Sequence, residues 1–267
     1  MNSTTPQAAA EDLLYEVRDG IGRITFNRPQ SRNARTFAMY ERMAEICAEA
    51  PKDRSIRALL LTGAGEKAFA AGTDISQFRA FKSPEDALGY EERIDRVLGV
   101  LEACPLPTIA AISGACTGGG AGIAACCDLR IANANARFGF PIARTLGNCL
   151  SISNTTRFTA LLGPAKVKDL VFTSRLIEAE EARAIGLVSE VLPDHAALAA
   201  RAEELAQHVA GQAPLTLRAT KEALRRIKER MRPEEGHDLV LMCYMSADFR
   251  EGMDAFLSKR RPNWQGA

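Results

Sequence analysis

Two glycine-rich turns hold the residues in this 267-residue chain best suited to chemistry. The first is GACTGGGAGIAACCD, from Gly114 to Asp128, where Gly118, Gly119 and Gly120 lead from a short β-type run, Thr108–Ile112, into small apolar residues. Residues without side chains at a strand-to-helix turn let another molecule approach the main chain, and they leave backbone N–H groups free to point at it. A helix starting there adds the positive end of its dipole. The site suits an oxygen that is negative or partly negative, in a phosphate or a polarised carbonyl. The second turn, TGAGEKAFAAGTDIS from Thr62 to Ser76, also follows an apolar strand and gathers small residues around Gly72, Thr73 and Asp74. One donor from each turn, converging on one point, is what an oxyanion hole requires.

Other chemistries fit less well. A dinucleotide fold needs G-x-G-x-x-G near a first strand, whereas this triplet lies mid-chain in another spacing, and no G-x-x-x-x-G-K-[ST] occurs. Tight helix–strand packing is the plain alternative for the triplet. The seven cysteines lack zinc-ligand spacing, and His195, His208 and His237 all fall in the last third, which argues against a metal and against Cys149 or a serine as a histidine-activated nucleophile. Free cysteines such as Cys116, Cys126 and Cys127 read as small core residues of a protein from a reducing compartment. With 34 basic against 33 acidic side chains there is no electrostatic case for nucleic acid or an anionic membrane. The basic run Arg225–Arg232 reads as a solvated helix face. No signal peptide and no apolar stretch long enough to span a bilayer is visible, so the expected location is cytoplasmic.

The elements that position these turns follow from pattern. Residues 1–12 read as a flexible tail. Leu14–Arg18 and Ile21–Phe26 form a hairpin about Asp19-Gly20. A helix is expected from Thr36 to about Ala50, stopping at Pro51, then a buried strand at Arg57–Leu61 and an irregular stretch, Ala64–Ala80. Ser83-Pro84 opens a helix through about Glu102. Strands are expected at Leu129–Ala132 and Val188–Leu192, and helices at Ser151–Leu161 and Ala165–Phe172 on either side of Gly163-Pro164. After Asp194 the chain reads as all helix: one to Gly211, one from Pro214 with Leu217, Leu224 and Ile227 on one face, and one over Gly236–Leu257. The pattern is an α/β core, 13–195, with a C-terminal helical module, 196–267.

Five ordered segments together resemble the enoyl-CoA hydratase/isomerase (crotonase) family: NRPQSRNA (Asn27–Ala34), TGAGEKAFAAGTDI, PTIAAISGACTGGGAGIAACCDLRIA, RFGFP (Arg137–Pro141) and SADFREGMDAFLSKRRPNW. The resemblance implies a crotonase-type spiral of short ββα units in two stacked sheet layers, with C-terminal helices for trimer contacts. It implies an acyl-CoA thioester as substrate, a homotrimer or dimer of trimers, and no cofactor beyond the coenzyme A of the substrate. Thr73 and Gly119 match the two backbone donors to the thioester carbonyl. Lys67, Ala71, Asp74 and Ile75 match contacts to the nucleotide and pantetheine arm, and Phe256 and Lys259 a pair near the CoA tail. The lysines read equally as surface residues, and Asp74 as a helix N-cap. Hydratases of this family carry two glutamates at positions that here hold Gly122 and Ile142, which supply neither acid nor base. What remains near the second position is Arg144, then Asn148, Cys149, Ser151 and Asn154; Arg144 reads as a partner for a carboxylate on the acyl group or as a structural ion-pair partner. Three readings follow: an acyl-CoA enzyme stabilising an enolate or oxyanion, a decarboxylase of a carboxylated acyl-CoA, or a silent CoA-binding protein.

Overall fold

The computed structural model describes residues 11–228 and 237–263. The tail expected over residues 1–12 lies almost wholly outside the described residues, as do 229–232 of the basic run and Trp264.

Asp19-Gly20 sets the first turn. Both residues have positive φ (51° and 74°), and strands β1 (Leu13–Arg18) and β2 (Ile21–Phe26) pair antiparallel from Arg18↔Ile21 outward. The primed turn matches the twist of the strands, as the Asp-Gly pair predicts. Thr36 then caps helix α1 (Phe37–Glu49), its side chain accepting from Met39 N, and the helix gives way to a 3-10 turn holding Pro51. Strand β3 runs over Ala58–Gly63, two residues further than its apolar run suggests. The stretch that shows no periodicity in sequence contains β4, only three residues long (Ala68–Ala70), and a 3-10 turn over Ile75–Ala80. Helix α2 (Pro84–Ala103) starts in a full capping box between Ser83 and Asp86.

The chain continues through β5 (Thr108–Ile112), β6 (Ala115–Thr117), α3 (Gly119–Cys126), β7 (Leu129–Asn133), β8 (Arg137–Gly139) and the short α4 (Ile142–Thr145). The two helices expected around Gly163-Pro164 are both present within Ile152–Thr173 (together α5), parted by the non-helical Gly163, where φ is 74° and ψ 158°. Then come β9 (Ile177–Glu178), α6 (Ala179–Ala184) and β10, which covers Glu190–Leu192 and not Val188. Val188 is instead buried in the loop after α6. Helices α7 (His195–Ala210) and α8 (Pro214–Lys228) follow the pattern of Asp194 and Pro214. The final helical region is two helices, α9 (His237–Tyr244) and α10 (Ala247–Leu257), because Ser246 caps the second through Phe249 N.

The strands form two sheets. One has the order β1-β2-β3-β5-β7-β10, parallel except for the β1–β2 hairpin; the other has the order β4-β6-β8-β9. Alternation along the six-stranded sheet separates two cores. Ala58, Leu60, Ile109 and Ala111 face Leu198, Ala202 and Ala206 of α7, whereas Leu59, Leu61, Ala110 and Ile112 join the main core. A third cluster, Phe78, Ala87, Leu146, Val240, Tyr244 and Phe249, joins the C-terminal helices to α2 and to the end of α4. Among the described residues no helix is long and apolar enough to cross a membrane.

Candidate functional site

Strands β4 and β6 are parallel neighbours, with Ala70 opposite Cys116, so both glycine turns leave the same carboxyl end of the smaller sheet. Open parallel sheets bind ligands at the carboxyl ends of their strands. The two turns touch. A Cβ on Gly118 would lie 3.7 Å from Gly72 Cα, and a Cβ on Gly120 would lie 2.0 Å from Ala70 O. Only glycine fits at Gly120, and Gly118, at φ 52° and ψ −124°, turns the chain from β6 into α3.

Among the described residues the main-chain hydrogen bonds leave the two expected donors unspent. Arg35 and Thr73 form an isolated parallel bridge, in which Arg35 N donates to Gly72 O (3.0 Å) and Asp74 N to Arg35 O (2.8 Å). That pattern turns the N–H of Thr73 away from the Arg35 segment. Gly119 is the first residue of α3, and such an N–H has no partner within its helix.

A polar cluster lies beside these turns. Thr73 Oγ1 is 3.1 Å from Tyr40 OH and 3.1 Å from Tyr90 OH. A Cβ on Gly119 would fall 2.3 Å from Tyr40 OH, 3.0 Å from Arg35 Nη2 and 3.4 Å from Thr73 Oγ1. Arg35 is fully buried, its guanidinium lying 5.0 Å from the Tyr40 ring centroid and 5.7 Å from that of Phe26. Beyond Tyr90, Tyr244 OH donates to the buried Glu91 Oε1 (2.6 Å) and accepts from Asn148 Nδ2 (3.2 Å). Burial, reinforced by nearby Asp95 and opposed by the Tyr244 bond, pushes the Glu91 carboxyl up to about 8.

At the two positions where the resemblance implies glutamate, the chain has no ionisable side chain. A Cβ on Gly122 would make ordinary contact with Leu98 Cδ1 (3.5 Å) and Asn154 Oδ1 (3.6 Å), and Ile142 is buried at the start of α4. Behind Asn154 stands Arg157, which donates to Asn154 Oδ1 (3.2 Å) and pairs with Glu102 (3.3 Å).

The other expected site residues are dispersed. Ala71, Asp74 and Ile75 flank Thr73. Asp74 accepts from Ser76 N and Oγ and from Arg28 Nη1 (3.1 Å), so it caps the 3-10 turn. Lys67 is exposed in the turn before β4. Arg144 is exposed on α4, and Phe256 and Lys259 are exposed at the end of α10. Cys116, Cys126 and Cys127 are buried, and burial pushes the Cys116 thiol up to about 12. Among the described residues no cluster of three or more His, Cys, Asp or Glu could hold a metal ion.

Sequence reasoning misses Arg35, Tyr40, Tyr90 and Glu91. Arg35 stands one residue beyond the NRPQSRNA segment, where an arginine reads as a surface residue.

The family model described as enoyl-CoA hydratase/isomerase matches residues 16–267. The chain is 34% identical over 257 residues to a short-chain-enoyl-CoA hydratase of Clostridium acetobutylicum, covering 94% of this chain and 96% of that one. It is 35% identical over 263 residues to an (E)-benzylidenesuccinyl-CoA hydratase of Thauera aromatica, covering 96% and 99%. Among solved structures it is similar to a methylmalonyl-CoA decarboxylase in complex with 2-nitronate-propionyl-CoA, with a TM-score of 0.86 and 28% identity over 96% of this chain and 98% of that one.

Proposed function

The chain belongs to the enoyl-CoA hydratase/isomerase family, and we propose that it stabilises the enolate of an acyl-CoA thioester on the main-chain amides of Thr73 and Gly119, without a glutamate pair. The observation that carries this reading is the contact between the two glycine turns at the carboxyl ends of neighbouring strands, each with an unspent N–H among the described residues. A thioester oxygen held by both amides gains charge as the α-carbon becomes nucleophilic, and removing one such donor costs ~3–4 kcal/mol of barrier.

The lack of a carboxylate at Gly122 and Ile142 argues for chemistry that makes the enolate without a carboxylate base. Decarboxylation does so. The bond between the α-carbon and its carboxylate breaks, the electron pair passes into the enolate, carbon dioxide leaves, and the α-carbon takes a proton from water. Methylmalonyl-CoA, named for the solved relative, is a thioester with a free carboxylate, and so is benzylidenesuccinyl-CoA. In this reading Lys67, Ala71, Asp74 and Ile75 line the coenzyme A arm, and Phe256 and Lys259 meet its tail. Arg144 attracts the acyl carboxylate from the rim. The exposed apolar side chains Leu215, Leu224 and Ile227 of α8 support a homotrimer that covers them.

The test is a panel of malonyl-CoA, methylmalonyl-CoA and crotonyl-CoA, followed by carbon dioxide release and by NMR. Release of carbon dioxide from a carboxylated thioester, with crotonyl-CoA left unhydrated, is expected. Hydration of crotonyl-CoA at rates typical of enzymes would refute the reading, and tight CoA binding with no turnover would establish a silent binding protein instead.

A further inference from the structure

Arg35 is fully buried, and its Nε, Nη1 and Nη2 have no hydrogen-bond partner among the described residues. A buried charge without a counterion is among the most costly features a fold can carry. The rings of Tyr40 and Phe26 offset part of that cost through cation–π attraction. Neither ring supplies a negative charge.

The place of this cation is informative. Its Nη2 lies 3.0 Å from where a Cβ of Gly119 would stand. With ~2.5 Å between Cβ and N of one residue, the cation is within about 5.5 Å of the Gly119 amide. It also neighbours the hydroxyls of Tyr40 and Thr73, and Thr73 contributes the other proposed donor.

We propose that Arg35 is a supporting charge beneath the oxyanion hole, and that its missing counterion is the negative charge that develops on the thioester oxygen. This rests on the reading of Thr73 and Gly119 as the hole. Because Arg35 is sealed from solvent it does not touch substrate. It acts through the Gly119 peptide and the Tyr40–Thr73 hydroxyl pair, and two amide dipoles are thereby backed by a full positive charge.

The experiment uses the full chain as wild type and as Arg35→Met, Arg35→Gln and Arg35→Lys. The probe is butyryl-CoA labelled with 13C at the thioester carbonyl, followed by isotope-edited infrared spectroscopy alongside Tm and decarboxylation kinetics. Wild type is expected to shift the bound carbonyl stretch to lower frequency. Arg35→Met and Arg35→Gln are expected to lose part of that shift and to lower kcat about 30-fold at nearly unchanged KM. That factor corresponds to a unit charge ~8 Å away at an effective dielectric of ~20. Arg35→Lys keeps the charge and retains most of both signals. The Tm of Arg35→Met stays at or above that of wild type, because an unpaired buried charge has been removed. A folded Met or Gln variant with the full wild-type shift and kcat overturns the proposal. So does a fall in Tm accompanied by an unchanged shift, which would mark Arg35 as a packing element for Phe26 and Tyr40. If wild type binds the thioester and shows no shift, the hole itself is refuted, a result distinct from failure at Arg35 alone.

Discussion

Restoring the two absent carboxylates, Gly122→Glu with Ile142→Glu, should confer hydration of crotonyl-CoA. A side chain at Gly122 starts in open contact, with Leu98 Cδ1 at 3.5 Å and Asn154 Oδ1 at 3.6 Å from the Cβ position. Replacing a helix-interior glycine with glutamate gains ~0.5–1 kcal/mol of helix propensity. Burying the two new carboxyl groups costs about 1–3 kcal/mol each, lessened at Gly122 by Arg157, whose Nη1 is 3.2 Å from Asn154 Oδ1. Ile142 is 8% exposed, so its loss forfeits ~1.5–3 kcal/mol of apolar burial. The double variant should therefore be less stable by roughly 2–8 kcal/mol, a fall in Tm of about 5–30 °C. A typical stability of ~5–15 kcal/mol tolerates that in most of its range. A positioned acid or base contributes ~10²–10⁴ in rate, so hydration, followed by loss of enoyl absorbance, should rise at least about 100-fold over wild type. A folded double variant that binds crotonyl-CoA and gains nothing would refute the reasoning. The carbonyl would then not be held where the restored carboxylates can serve it.

Two further outcomes follow from single groups. Gly120→Ala places a Cβ 2.0 Å from Ala70 O, which is backbone and cannot swing aside, so the glycine turns must separate. The variant should lose ~1–3 kcal/mol of stability in denaturant titration together with most thioester affinity. Gly99→Ala, within α2 and with nothing inside 4 Å, should instead gain ~0.4–1 kcal/mol in the same assay. Glu91, raised to about 8 against an ordinary value near 4.5, holds its proton in the folded protein after the unfolded chain has released it. Its contribution to stability is complete below pH ~4.5 and is lost as the pH rises towards 8, at up to about 1.4 kcal/mol per pH unit. Stability measured across that window should decline with pH relative to Glu91→Gln, and parallel curves would contradict the assignment.

Local signals made much of the fold legible. Asp19-Gly20 fixed a hairpin, Ser83-Pro84 a helix start and Pro51 a helix end, because each acts through its own backbone. Strands β4 and β9, of three and two residues, are too short to show any periodicity, and partners from distant segments hold them. The break between α9 and α10 at Ser246 does not show inside an apolar helical pattern, where a capping serine resembles any other polar residue. The candidate site divides in the same way. Glycines that exist for close approach are visible in sequence, so both turns could be found. Arg35 and Glu91 are charged residues whose burial arises from tertiary packing, and a chain read residue by residue places both on the surface.

The most direct measurement is a crystal structure of the protein with a non-reactive acyl-CoA thioester analogue that keeps its carbonyl. The expected result is one carbonyl oxygen about 2.7–3.1 Å from both Thr73 N and Gly119 N, in line with each N–H. A bound analogue whose oxygen meets neither amide, or only one of them, would contradict the assignment of these two turns as the oxyanion hole.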